Sequence, residues 1–229
     1  MDIFVATSRG RPLKSYLESR PNTICKAKGG ASIEVLTDTA VSILENLPQN
    51  SQRHLVYYIA GLCDLTRKDK DSDTNYEEVT FPDNIESADS RMERIFLSAT
   101  DIITQFNAIP IFCTIAPMDI STWNHHRLEN HRTSYLLHHR EYSNMQENLN
   151  SATVFINHQI ISLNDTHALE TPKLAQEIIF KPGLRRPTYR LKHSNLQTDG
   201  CHVTEDVNCT WRMALDITAT RNRQYLNYH

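Results

Sequence analysis

Short unbroken apolar runs alternate along this chain with longer stretches whose apolar residues recur at helical spacing. Ile3 to Ala6 predicts a first strand, and Pro12 to Leu17 a short helix with proline in its first turn. Thr23 to Lys26 reads as a second strand, ended by Gly29-Gly30. Ser32 then suits an N-cap, with Val35, Leu36, Ala40, Ile43, Leu44 and Leu47 on the buried face of the helix that follows. His54 to Ala60 is continuous, apolar and rich in β-branched and aromatic residues, as expected of a strand buried on both faces. Arg67 to Thr74, crowded with Asp and Lys, predicts a surface loop. Met92, Ile95, Phe96, Ala99, Ile102, Ile103 and Phe106 mark a helix within Ser87 to Asn107, and Ile109 to Ala116 is another buried strand, closed by Pro117.

Thr133 to Ser162 has helical composition, although its second half, Thr153 to Ile161, is β-branched enough to suit a strand. Asn164 to Arg190, interrupted by Pro172, Pro182, Gly183 and Pro187, carries little pattern. A last helix over Thr204 to Arg221 would turn Val207, Trp211 and Leu215 inward. Strand and helix alternate throughout, so the expected fold is α/β: one domain over residues 1–229, three α/β/α layers around a parallel sheet. Ligand sites in such sheets lie beyond the carboxyl ends of the strands. Ser8, Gly61-Leu62-Cys63-Asp64 and Pro117 to Trp123 all fall there.

Composition narrows the function classes. At 229 residues the chain is long enough for one full core, and 39% hydrophobic with 22% charged residues is ordinary for a globular domain. A net charge of −3 argues against general nucleic-acid binding. No apolar run reaches the ~20 residues of a membrane span, and the N-terminus lacks the basic start of a signal peptide. Five cysteines without CxxC spacing suit reduced thiols, hence an intracellular setting, cytoplasmic or nuclear. There is no GxGxxG and no phosphate-binding loop, so no nucleotide cofactor is expected. The eleven histidines, including His125-His126, His131 and His138-His139, lack HExxH or CxxC…H spacing, and no metal is expected either.

The chemistry sits at the two ends of the chain. Asp199-Gly200-Cys201-His202 precedes the last helix, and an Asp three residues before a His can hold the imidazole of its own loop. Ser8 stands where the first strand of an open sheet would present a nucleophile. Together they are the residue types of an acyl-transfer triad. Each has an ordinary alternative: Ser8 as a turn serine, and Asp199-Gly200 as a plain turn.

Four blocks in order resemble the SGNH (GDSL-like) hydrolase superfamily. Ala6-Thr7-Ser8-Arg9-Gly10-Arg11-Pro12-Leu13 keeps the serine and leucine of Gly-Asp-Ser-x-x-x-x-Leu but replaces its Gly and Asp. Gly30 matches the glycine of the second block, Gly61-Leu62-Cys63-Asp64 keeps all but the asparagine of Gly-x-Asn-Asp, and Asp199 to His202 fits Asp-x-x-His fully. The resemblance spans nearly the whole chain and implies a flavodoxin-like, SGNH-type sheet.

It also implies a cofactor-free serine esterase cleaving an O-acetyl or short acyl ester, with Ser8 as nucleophile, His202 as base and Asp199 orienting it. The Ser8 and Gly30 N–H groups would hold the oxyanion, with Cys63 at the usual Asn position. A thiol is a weak donor, so Asn124 or His125 would fill that gap if the segment after Pro117 folds back. Asp64 is expected to organise its loop by accepting backbone N–H bonds, and a nucleophilic Cys63–His202 pair is the minor alternative.

Arg185-Arg186, Arg190, Lys192 and His193, interleaved with Tyr189, form a basic aromatic stretch. It reads as a solvated loop, as a hold for an acidic substrate by Arg185 and Arg186, or as a nucleic-acid contact. The competing function is an inactive binding module of the same fold, favoured by the altered Ala6, Thr7 and Cys63 positions; esterase-like domains of this family also occur in proteins of some mobile elements, which points to an RNA-associated role.

Overall fold

The computed structural model describes residues 1–48, 52–70, 77–81, 84–130, 142–181 and 189–228. Strand β1 (Asp2–Ala6) leads through a 3-10 turn (Ser8–Leu13) into helix α1 (Lys14–Glu18), then β2 (Thr23–Ala27) and α2 (Ile33–Glu45). β3 (His54–Ile59) runs into the single turn α3 (Leu62–Leu65), followed by β4 (Arg67–Lys70) and β5 (Glu77–Thr80). Helix α4 (Ile85–Thr104), β6 (Ala108–Phe112), α5 (Ile120–Asn130) and α6 (Ser143–Asp165) come next. Two short strands, β7 (Ile179–Phe180) and β8 (Arg190–Leu191), precede the last helix, α7 (Glu205–Tyr228).

The central sheet is parallel, with strand order β2-β1-β3-β6. Because successive side chains in a strand point to opposite faces, each strand feeds two cores. Ile3, Val5, Val56, Tyr58 and Phe112 join one core with the inner faces of α2, α4 and α6. Phe4, Ala6, Leu55, Tyr57, Ile59 and Ile111 join the other, with Leu13, Leu17, Trp211 and Leu215. This double burial explains the unbroken apolar runs and gives the three-layer α/β/α architecture.

Most predicted elements fall within a few residues of place. Ser32 caps α2 by accepting the Val35 N–H at 3.3 Å. The β-branched segment Thr153 to Ile161 is helix, because Thr153, Ile156 and Ile160 recur at helical spacing and are buried under the sheet. Of the loop expected over Arg67 to Thr74, Arg67 to Lys70 is instead β4, paired antiparallel with β5, where Asp69 accepts the Thr80 hydroxyl at 2.8 Å, and residues 71–74 lie outside the described residues. The segment after Pro117 forms α5, and the final helix runs on to Tyr228. The early helix is split: Pro12 lies inside the 3-10 turn and α1 starts at Lys14.

Beyond β6 the outer edge is met by side chains and by one backbone carbonyl, Pro172, which accepts the Thr114 N–H at 3.0 Å. Asn164 of α6 accepts the Phe112 N–H at 3.2 Å and donates to the Phe112 carbonyl at 2.9 Å. Seven residues earlier, two turns back along the same face, Asn157 does the same for Ile115 at 2.6 and 2.9 Å. A primary amide offers the donor–acceptor pair of a neighbouring strand, so the buried edge keeps its hydrogen bonds. Replacing Asn164 with Ala strands two buried backbone groups, each costing ~1–3 kcal/mol. Denaturant unfolding of Asn164→Ala is therefore expected to show a loss of about 2–6 kcal/mol, with the slope unchanged.

Candidate active site

At the exit of β1, the Thr7 N–H donates to Ile59 of β3 at 3.1 Å, and Gly10 N–H closes the turn on Thr7 at 3.0 Å. The turn must be tight: a Cβ at Gly10 would stand 2.2 Å from the Ala6 Cβ. Ser8 emerges half-buried from this bend. The nearby N–H groups belong to a 3-10 turn, and the helix predicted from Pro12 begins only at Lys14.

Asp199 shapes the other end of the site. Its Oδ1 accepts the N–H groups of Cys201 and His202, both at 2.9 Å, while Oδ2 holds His202 Nδ1 at 2.5 Å. Burial pushes the Asp199 carboxyl up, but the His202 bond and the two N–H donors outweigh it, leaving its pKa below the ordinary value. With Nδ1–H bound to a carboxylate, Nε2 is the nitrogen left to accept a proton. Gly200 has φ +68°, and a Cβ there would lie 2.7 Å from the Thr122 Cβ. The Gly200 carbonyl accepts the Asp119 N–H at 2.8 Å, and Trp123 lies 6.3 Å from the His202 ring. The start of α5 thus forms the bed on which the His202 loop lies.

The two ends of the chain meet. Ser8 and His202 line one cavity of about 270 Å³, with Arg9, Arg11, Pro12, Gln197, Val203 and Asn208. Among the described residues no hydrogen bond joins Ser8 to His202, and the hydrogen bond on the ring is the one to Asp199. Gly30 sits at φ +69° in an exposed turn closed by Ala31 N–H on Lys28 at 3.4 Å. The adjoining Gly29 brings this turn to the serine: a Cβ there would be 3.8 Å from the Ser8 Cβ.

Cys63 is half-buried on α3, and burial raises its thiol pKa, opposite to what a thiolate nucleophile requires. It does not line the Ser8 cavity. Asp64 accepts the Ile33 N–H with both oxygens at 3.1 Å, tying α3 to the start of α2 rather than only organising its own loop.

Asn124 does not reach the site. It is fully buried on α5, accepts the Val79 N–H and donates to the Val79 carbonyl, both at 2.8 Å, and so finishes the edge of β5. His125 is exposed, with Nδ1 2.7 Å from the Ser121 carbonyl. Neither lines the cavity, because the segment after Pro117 is a helix whose turn sets both side chains away from Ser8.

Arg185 and Arg186, proposed to hold substrate, lie outside the described residues, as do His131, His138 and His139. Elsewhere in that stretch, Lys181 Nζ stands 5.9 Å over the Tyr189 ring, Lys192 Nζ donates to Gln176, and His193 Nδ1 lies 3.1 Å from Asp119. Among the described residues no group of three or more His, Cys, Asp or Glu is placed to hold a metal, and no helix is long and apolar enough to cross a membrane.

Sequence reasoning missed Arg9. It is 6% exposed, donates to the Ala116 carbonyl and, at 3.0 Å, to the Pro117 carbonyl, and lies 3.8 Å from the Cys201 sulfur. It joins the Ser8 turn to the exit of β6 and to the His202 loop. The signal was present: Ser8 to Lys14 holds three cations and no carboxylate.

Solved structures share this architecture. A GDSL-like lipase from Bacteroides thetaiotaomicron superposes with a TM-score of 0.56 at 13% identity, covering 99% of this chain and 87% of that one. A member of the lipolytic protein G-D-S-L family from Veillonella parvula gives 0.57 at 10% identity, over 96% and 98%. A putative SGNH hydrolase from Slackia heliotrinireducens gives 0.55 at 12%, over 95% and 97%. No protein-family model and no curated protein sequence matches the chain. The likeness establishes an SGNH-type fold across the chain.

Burial raises the Asp64 carboxyl to about 6, against the opposing pull of the Ile33 N–H. A carboxyl raised on folding contributes its stability in full below the ordinary carboxylate range and loses it as pH rises through about 6. Asp64→Asn keeps an acceptor for Ile33 but cannot ionise. Thermal melts from pH 4 to 8 should show the variant gaining on the native protein as pH passes about 6. A constant difference would mean that Asp64 does not titrate in this window.

Proposed function

We propose that this protein is an SGNH-type serine ester hydrolase acting on an O-acetyl or short acyl ester. The observation that carries this reading is the Asp199–His202 pair, which borders the same 270 Å³ cavity as Ser8. In it, Ser8 Oγ attacks the acyl carbon while His202 Nε2 takes the hydroxyl proton. The tetrahedral oxyanion is held by the Ser8 and Gly30 N–H groups. Its collapse breaks the bond to the alcohol, which leaves with the proton carried by His202. Water then attacks the acyl-serine, gives a proton to His202, and releases the acid and the restored serine. Asp199 fixes the ring tautomer and stabilises the imidazolium throughout.

Cys63 sets the expected rate. Losing one oxyanion donor typically costs ~10²–10³ in turnover, so the esterase is expected to be slow. The same cysteine favours a second reading, a binding module of this fold that no longer turns over, within which a nucleic-acid or mobile-element role is the specific form.

An alkyl fluorophosphonate separates the two. The hydrolase gives a single adduct on Ser8 by mass spectrometry, absent in Ser8→Ala and strongly reduced in His202→Gln. A folded native protein that stays unlabelled supports the binding module. Cys63→Asn tests the oxyanion assignment and is expected to raise turnover of a short acyl ester by ~10-fold or more. An unchanged rate would place that position outside the oxyanion site.

A further inference from the structure

We infer that the ester taken by the Ser8 cavity carries a carboxylate a few bonds from its scissile linkage, with Arg11 as the group that receives it. This rests on the hydrolase reading and adds a substrate class to it. Two guanidinium groups, Arg9 and Arg11, line the cavity, together with His202 and the neutral Gln197 and Asn208, and no acidic side chain does. Among the described residues no carboxylate forms an ion pair with either arginine. A buried charge without an opposite partner is expensive, and Arg9 at 6% exposure has only carbonyl oxygens and a sulfur against it. The cavity therefore has two guanidinium groups on its wall against the single Asp199 carboxylate that stands behind the His202 ring.

The two arginines play different parts. Both Nη atoms of Arg9 are fastened to the protein, so it supplies field and not a hand for the ligand. Arg11 is exposed, with no hydrogen bond from its guanidinium to the described residues. A Cβ at Gly29 would stand 3.1 Å from Arg11 Nη2 and 3.8 Å from the Ser8 Cβ. The free guanidinium fork and the serine thus flank one glycine, next to the proposed oxyanion donor Gly30. A planar fork of this kind matches a carboxylate through two parallel N–H···O bonds. At about 270 Å³ the space suits a small hydroxy-acid ester.

The probe pair is 2-acetoxypropanoate and its methyl ester, which differ by one charge. Equilibrium binding is measured on the Ser8→Ala protein, where turnover cannot intervene. The anion is expected to bind about tenfold more tightly at low salt, the size of one charge-assisted contact in a partly desolvated site. That ratio should fall toward one in Ser8→Ala/Arg11→Gln, survive in part in Ser8→Ala/Arg11→Lys, and shrink as salt is added.

No binding of the anion, equal binding of both probes, or a ratio that Arg11→Gln leaves intact would each overturn the inference. Fluorophosphonate labelling is uncharged in its demand and reports on the hydrolase separately. Labelling without anion preference removes only the substrate class. Anion preference without labelling keeps the anion site and removes the hydrolase.

Discussion

One buried cation fastens three distant parts of this chain together. Arg9 reaches from the turn after β1 to the carbonyls of Ala116 and Pro117 beyond β6, and to the sulfur of Cys201 in the His202 loop. Hydrogen bonds from a charged donor contribute ~1.5–3 kcal/mol each, whereas an unpartnered buried guanidinium would cost several. The charge is therefore stable only when both strand exit and loop are in place. That condition brings a serine near the start of the chain to an imidazole near its end.

The surrounding fold supplies the other constraints. Parallel strands buried on both faces put β1 and β3 side by side, and the Ser8 turn leaves the carboxyl end of β1 into the cavity it shares with His202. Asp199 then works at short range, pinning its own turn and the His202 ring with the same carboxylate. Asn124, Asn157 and Asn164 finish strand edges that would otherwise expose backbone. The asparagine amide, absent from the expected oxyanion position at Cys63, is used elsewhere as a substitute strand, and Asn222 likewise holds both backbone groups of Glu170.

Much of the framework was legible because its signals are local. Continuous apolar runs such as His54 to Ile59 can be satisfied only by burial on both faces, and Ser32 carries its cap in its own side chain. The Asp199-x-x-His202 contact spans three residues, so spacing alone foretold it. What escaped depends on distant partners. Nothing near Arg67 or Lys70 marks them as strand, because the pairing of β4 with β5 needs Val79 and the amide of Asn124, far along the chain. Asn124 looked like a free amide for the same reason. Arg9 carries no mark of its burial in the neighbouring sequence because its acceptors lie more than a hundred residues away.

The account stands on the meeting of the two chain ends, and a crystal structure of the native protein tests it most directly through the separation of Ser8 Oγ and His202 Nε2. Within ~4 Å, with Arg9 seated on the Ala116 and Pro117 carbonyls, is the expected result, since hydrogen bonds of unliganded sites are often loose. A separation several times larger, with the imidazole facing away from the serine cavity, would contradict it.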